Sequence, residues 1–131
     1  MSRVVEPILF NGSTGSIGSS MPATALPVKS RLESSLTDIQ TELKEVSGGH
    51  AFVFIHLAGL VRVEDCEKDP ALARALNVDG AEKFYHAASA AGCSHFVYVS
   101  SAHVYAASKE KLKVGDPLGP RSEYARTKRD A

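Results

Sequence analysis

The stretch that decides the fold is Pro7-Ile8-Leu9-Phe10-Asn11-Gly12-Ser13-Thr14-Gly15-Ser16-Ile17-Gly18. A short apolar run passes directly into glycines at positions 12, 15 and 18. Pro7–Asn11 predicts a buried strand. Ile17 to about Leu26 predicts a short helix, strained at Pro22 because an interior proline loses a backbone hydrogen bond and clashes with the preceding turn. A glycine-rich turn between strand and helix suits an anion such as a pyrophosphate. Glycine permits the tight turn and the close approach of backbone to ligand, and a helix N-terminus presents free N–H groups and partial positive charge. The same pattern also serves as an ordinary strand-to-helix turn, and the glycines alone do not decide between the two.

Outward from this loop, strand-like and helix-like segments alternate. Val28–Arg31 predicts a second strand. Thr37–Val46 predicts a helix capped by Thr37 or Asp38, with Ile39, Leu43 and Val46 on one face and Gly48-Gly49 as the stop. Ala51–Leu57 is a continuous apolar run without alternation, the pattern of a parallel strand covered on both faces. Ala71–Ala91 predicts a long helix, weakened slightly by Gly80 and ended by Gly92. His95–Ser101 predicts a further strand, and Ser122–Ala131 a last helix cut by the end of the chain. Such alternation implies an α/β, doubly wound parallel sheet, whose ligands sit beyond the carboxyl ends of the strands.

Composition narrows the class. The chain has 131 residues, enough for one small domain with a core, so residues 1–131 are read as a single domain. Fifteen basic and fifteen acidic side chains balance, giving no electrostatic footprint for nucleic acid or an anionic membrane. No apolar run approaches the roughly 20 residues of a membrane helix, and the N-terminus lacks a signal-like apolar core. Cys66 and Cys93 are too few for a disulfide scaffold, which favours reduced thiols and a cytoplasmic location. The five histidines show no metal-ligand spacing with cysteines or carboxylates, so no metal site is expected.

Four further motifs come after the glycine loop in order: His56-Leu57-Ala58-Gly59, Asn77-Val78-Asp79-Gly80, Val99-Ser100-Ser101-Ala102-His103-Val104-Tyr105, and Tyr124-Ala125-Arg126-Thr127-Lys128. A lone Tyr-x-x-x-Lys is common on solvated helices; after the glycine loop and the Ser100-Ser101 strand it is specific. Together with Gly-x-x-Gly-x-x-Gly, these motifs resemble the extended short-chain dehydrogenase/reductase family, of the NAD-dependent epimerase/dehydratase type. The resemblance implies a Rossmann-like sheet, truncated here before the final strands and the substrate-binding domain. It implies an NAD(P) cofactor held by Gly12, Ser13, Thr14, Gly15, Ser16, Ile17 and Gly18, with the backbone of Leu57, Ala58 and Gly59 lining the cleft. Asp38-Ile39 is similar to the family's pair near the adenine, and Asn77 to an asparagine that ties a helix to the neighbouring strand. With Ser30 and Arg31, and no acid, at the end of the second predicted strand, the cofactor leans toward NADP. Only 37 residues separate Gly18 from His56, so one strand-helix unit is expected to be reduced or missing.

The chemistry then falls to three residues. Moving hydride between carbon and nicotinamide requires a proton to move at the attached oxygen. A phenol ionises near pH 10, and a nearby ammonium favours the phenolate. Tyr124 is thus the expected general acid/base. Lys128, four residues on and on the same helical face, would tune it and, by the resemblance, hold the ribose hydroxyls. Ser101 would hold the substrate oxygen, with Ser100 a structural neighbour. Dehydratases of the family resemble Thr-Asp-Glu where this chain has Ser101-Ala102-His103, which leaves an epimerase or a carbonyl reductase acting on a small molecule such as a nucleotide sugar. The resemblance also implies a homodimer. The chain is expected to be a fragment with marginal stability and little turnover alone, and a non-catalytic NAD(P)-binding regulator or scaffold on the same fold is the competing reading.

Overall fold

A computed structural model describes residues 5–131. Four parallel strands form one sheet in the order β2-β1-β3-β4: β1 Ile8–Phe10, β2 Leu26–Pro27, β3 Phe52–His56 and β4 Cys93–Tyr98. The chain divides into two compact units. One runs through Gly59 and resumes over Gly80–Val99; the other comprises Leu60–Asp79 and Ser100–Ala131.

The first unit holds the sheet and two helices, α1 (Leu36–Ser47) and α4 (Gly80–Ala91), which pack on each other. Leu9, Ile39, Leu43, Phe52, Phe54 and Phe84 are fully buried. Phe54 stacks between Phe84 and Phe96, with ring centres 5.6 and 5.5 Å away. Ser35 caps α1 by accepting the Asp38 N–H, ahead of the expected Thr37 or Asp38. Gly48, with φ 65°, stops the helix as expected.

Three sequence expectations fail in this unit for physical reasons. No helix spans Ile17–Leu26: a single 3-10 turn, Gly18–Ser20, gives way to extended backbone at Met21, just ahead of Pro22. The second strand is Leu26–Pro27 rather than Val28–Arg31. It pairs with Leu9 and Phe10, and only the Val28 N–H still reaches Phe10. The expected Ala51–Leu57 strand covered on both faces instead alternates: Phe52, Phe54 and His56 are buried, and Val53 and Ile55 are half-buried. A fourth difference is one of register. The expected strand His95–Ser101 ends at Tyr98, because β4 pairs only as far as β3 runs, and Tyr98 stands opposite His56.

The second unit contains α2 (Val63–Lys68), α3 (Pro70–Arg74), a π-helical turn (Ala75–Asp79), a 3-10 turn (Ala102–Val104) and α5 (Glu123–Asp130). The long helix expected over 71–91 is interrupted by the π turn. It starts at Pro70, where the Asp69 carboxylate accepts the Leu72 N–H. α2 is formed by a polar hexapeptide with no apolar periodicity to announce it. Ser122 caps α5, its Oγ accepting the Ala125 N–H, where the sequence places the helix start.

Candidate functional site

The glycine loop leaves β1 at its carboxyl end. The order β2-β1-β3-β4 makes the junction of β1 and β3 the point where successive connections turn to opposite sides of the sheet. Open α/β sheets bind ligands at such a point. Gly12 adopts φ 72°, and a Cβ there would lie 3.0 Å from the Ala58 nitrogen. Gly18 has no room at all: its Cβ would lie 1.9 Å from the Gly12 carbonyl oxygen. Gly15 differs. Its φ is not positive, and a Cβ would make only ordinary contact, 3.5 Å from the same oxygen. Folding therefore accounts for Gly12 and Gly18 but not for Gly15.

Thr14, Gly15, Ser16 and Ile17 are exposed, and Ser13 is half-buried. The loop is braced from within. Gly15 N–H donates to the Gly12 carbonyl (3.1 Å), Ser19 N–H to that of Gly15 (2.8 Å), and both Ser19 and Ser20 hydroxyls to that of Ser16. A three-residue 3-10 turn has little macrodipole, so the structure does not supply the helix N-terminus expected after the glycine loop.

Asn11 and Glu42, two residues absent from the sequence reading of the site, organise its surroundings. Asn11 Oδ1 accepts the N–H groups of Leu57 (2.7 Å) and Ala58 (2.8 Å). Glu42 of α1 accepts the N–H groups of Lys29 (2.6 Å) and Ser30 (2.7 Å), just beyond β2. Partial burial alone would raise the Glu42 pKa, but the hydrogen bonds from Ser30 and Lys29 outweigh it and hold the carboxyl below its ordinary value. Lys83 of α4 donates to the carbonyls of Leu32 and Ser34, fixing the same segment. Arg31 is exposed, its N–H bonded to Ser34 Oγ at 2.8 Å. Asp38 and Ile39 lie inside α1 rather than at a strand end, Ile39 in the core.

In the second unit, Ser101 precedes the 3-10 turn, and its Oγ accepts the His103 N–H at 3.2 Å. That turn packs on α5, which carries Tyr124 and Lys128. The His103 ring meets Tyr124 edge-on, with centres 6.3 Å apart. Lys128 is buried, and burial pushes its ammonium pKa down. Asn77 braces α5 from the π turn. Its Oδ1 accepts the Leu60 N–H (2.7 Å), and its Nδ2 donates to the Leu60 carbonyl and to Thr127 Oγ1, each at 3.0 Å. Thr127 in turn donates to the Tyr124 carbonyl at 2.7 Å. A cleft of about 290 Å³ opens beside this turn, lined by His103, Tyr105, Ala107, Leu112, Arg121 and Ala125. Ser101, Tyr124 and Lys128 thus share one unit, while the glycine loop and Leu57–Gly59 belong to the other.

Both cysteines are free thiols, and burial pushes the pKa of each up. Among the described residues no helix is long and apolar enough to cross a membrane, and no cluster of three metal-ligating side chains occurs.

The parallel sheet, with its glycine loop at the carboxyl end of β1, defines a Rossmann-like chain. More narrowly, the model of the RmlD substrate binding domain matches residues 6–131, and the chain belongs to that family. No curated protein matches it significantly. Solved structures do. RMD from Pseudomonas aeruginosa, complexed with NADPH, is 23% identical with a TM-score of 0.74 over 96% of this chain. A UDP-glucose-4-epimerase from Stenotrophomonas maltophila, with bound NAD and formylated UDP-arabinopyranose, is 19% identical with a TM-score of 0.80 over 95%. A short-chain dehydrogenase/reductase superfamily protein from Agrobacterium tumefaciens, with bound NAD, is 26% identical with a TM-score of 0.73 over 94%. The chain spans 46% of the length of each of the first two and 42% of the third.

Proposed function

We propose that this chain is the NAD(P)-binding part of an oxidoreductase or epimerase acting at a hydroxyl or carbonyl carbon of a nucleotide sugar, and that residues 1–131 serve this role as a single domain. The observation that carries the reading is Gly15. It is glycine although neither its φ nor its neighbours require it, and close approach of a pyrophosphate to the loop backbone supplies the missing reason. Family membership and the cofactors in the similar structures, NADPH in one and NAD in others, agree with it. Gly12 to Gly18 would hold the pyrophosphate, with Leu57, Ala58 and Gly59 along the cleft.

When bound, the nicotinamide supplies or accepts the hydride. Tyr124 would give or take the proton at the substrate oxygen, and Ser101 would hydrogen-bond that oxygen. Lys128, four residues on from Tyr124 along the same helix, would bind the ribose hydroxyls. The lean toward NADP rests on the segment just beyond β2, residues 28–31. Glu42 is already engaged by two backbone N–H groups, while Lys29 and Arg31 are exposed to meet a 2′-phosphate.

Titration of the purified chain with NADPH and NADH, followed by cofactor fluorescence, tests the cradle. Saturable binding, tighter for NADPH, is expected, with Gly15→Asp abolishing it at unchanged folding. A folded chain that binds neither cofactor would refute the reading. In the whole protein, Tyr124→Phe should cut turnover by about 10² to 10⁴ without changing cofactor affinity; unchanged turnover would favour a regulatory protein over an enzyme.

A further inference from the structure

The glycine pattern has no evident use for the residue before it, yet Asn11 is 1% exposed and fully engaged. Its Oδ1 faces two backbone N–H donors, those of Leu57 and Ala58. Those donors leave no choice of amide orientation: the oxygen must face them and Nδ2 must point the other way. There Nδ2 lies 2.9 Å from Nδ1 of His56. An amide nitrogen only donates, so His56 Nδ1 must accept, which makes the ring neutral with its proton on Nε2. His56 is also 1% exposed, and its ring lies against Phe84, Phe96 and Tyr98 with centres 5.5 to 6.0 Å apart. The next residue in the chain, Gly12, is the one whose missing Cβ lets it lie on the Leu57–Ala58 backbone.

We infer that Asn11 and His56 are positioning residues of the cofactor site. One side chain ties the carboxyl end of β1 to the segment after β3 and sets the glycine loop at a fixed height over Leu57 and Ala58, and it does so only with the Nε2–H tautomer of His56. The inference rests on reading the glycine loop as the cofactor cradle. A buried histidine of merely structural role would hold the same tautomer but would have no effect on cofactor affinity.

The test combines NADPH titration of the full chain with ¹⁵N spectra of the His56 ring. In the wild type, Nδ1 should behave as an unprotonated and Nε2 as a protonated ring nitrogen. Asn11→Ala, checked for folding by circular dichroism, should weaken NADPH by about ten-fold or more, as expected when two backbone N–H groups lose a buried acceptor. Asn11→Asp serves where the alanine variant does not fold. Its carboxylate still accepts from Leu57 and Ala58, but its other oxygen can only accept, so the ring proton should move to Nδ1. Wild-type binding matched by folded Asn11→Ala overturns the inference and leaves the cradle standing. So does a protonated Nδ1 in the wild type, or a ring signal unchanged in Asn11→Asp. A folded wild type that binds no NADPH overturns the cradle itself, and the inference with it.

Discussion

Each of the two units is organised around one buried asparagine, and the two are used differently. Asn11 joins the end of β1 to the backbone beyond β3, tying two neighbouring strands of one sheet. Asn77 sits in a π-helical turn and joins an irregular segment at Leu60 to the helix that carries Tyr124 and Lys128. The first clamp works on rigid elements and fixes a loop. The second works on a helix and fixes the height of a side chain. π turns recur at functional sites because they free a side chain to make bonds that a regular helix would deny it, and Asn77 uses that freedom for three hydrogen bonds. The glycine loop and the helix that carries Tyr124 and Lys128 are thus held by separate devices.

The largest loss is expected from Gly18→Ala, in the loop that the first clamp holds. With a Cβ 1.9 Å from a backbone oxygen, the loop must move, and a loss of about 3 kcal/mol or more is expected in urea unfolding. Gly15→Ala is its counterpart: stability should stay within about 0.5 kcal/mol while NADPH binding is lost. Asn77→Ala should come next, costing about 2 kcal/mol because the Leu60 N–H and carbonyl lose their partner. It should raise hydrogen exchange at Leu60 and along α5, and exchange in the glycine loop should not change; equal changes in both would show that the two clamps are not separate. The smallest effect is that of Glu42. Its folded pKa lies below the ordinary value, so its contribution is present above about pH 4.5 and fades as pH falls through the lower folded value. Glu42→Gln should lower Tm slightly at neutral pH and flatten the acid side of the Tm–pH curve.

The two clamps also mark how far the sequence can be read. Asn77 is visible: an asparagine amid an apolar helical face is costly there and asks for a reason. Asn11 is not, since asparagine before glycine is equally a turn residue. Its partners, like those of Glu42, are mainly backbone N–H groups, which leave no mark in sequence. β1, β3, α1 and α5 are legible within a residue or two because apolar runs mark the strands, an apolar face with a glycine stop marks α1, and Ser122 marks the start of α5. The helix expected after the glycine loop is absent because Pro22 outweighs the strand-loop-helix pattern. α2 escapes sequence reading because its residues carry no period. The glycines, Ser101, Tyr124 and Lys128 are legible as a pattern, while the bonds that hold them in place are not.

Pro27 at the outer strand has a further effect on how the molecule behaves in company. β2 is two residues long and forms one border of the sheet, and its second residue has no backbone N–H to offer. A strand from another molecule arriving at that border finds too few donors to begin a ladder. On that side the fold resists recruitment into a growing intermolecular sheet.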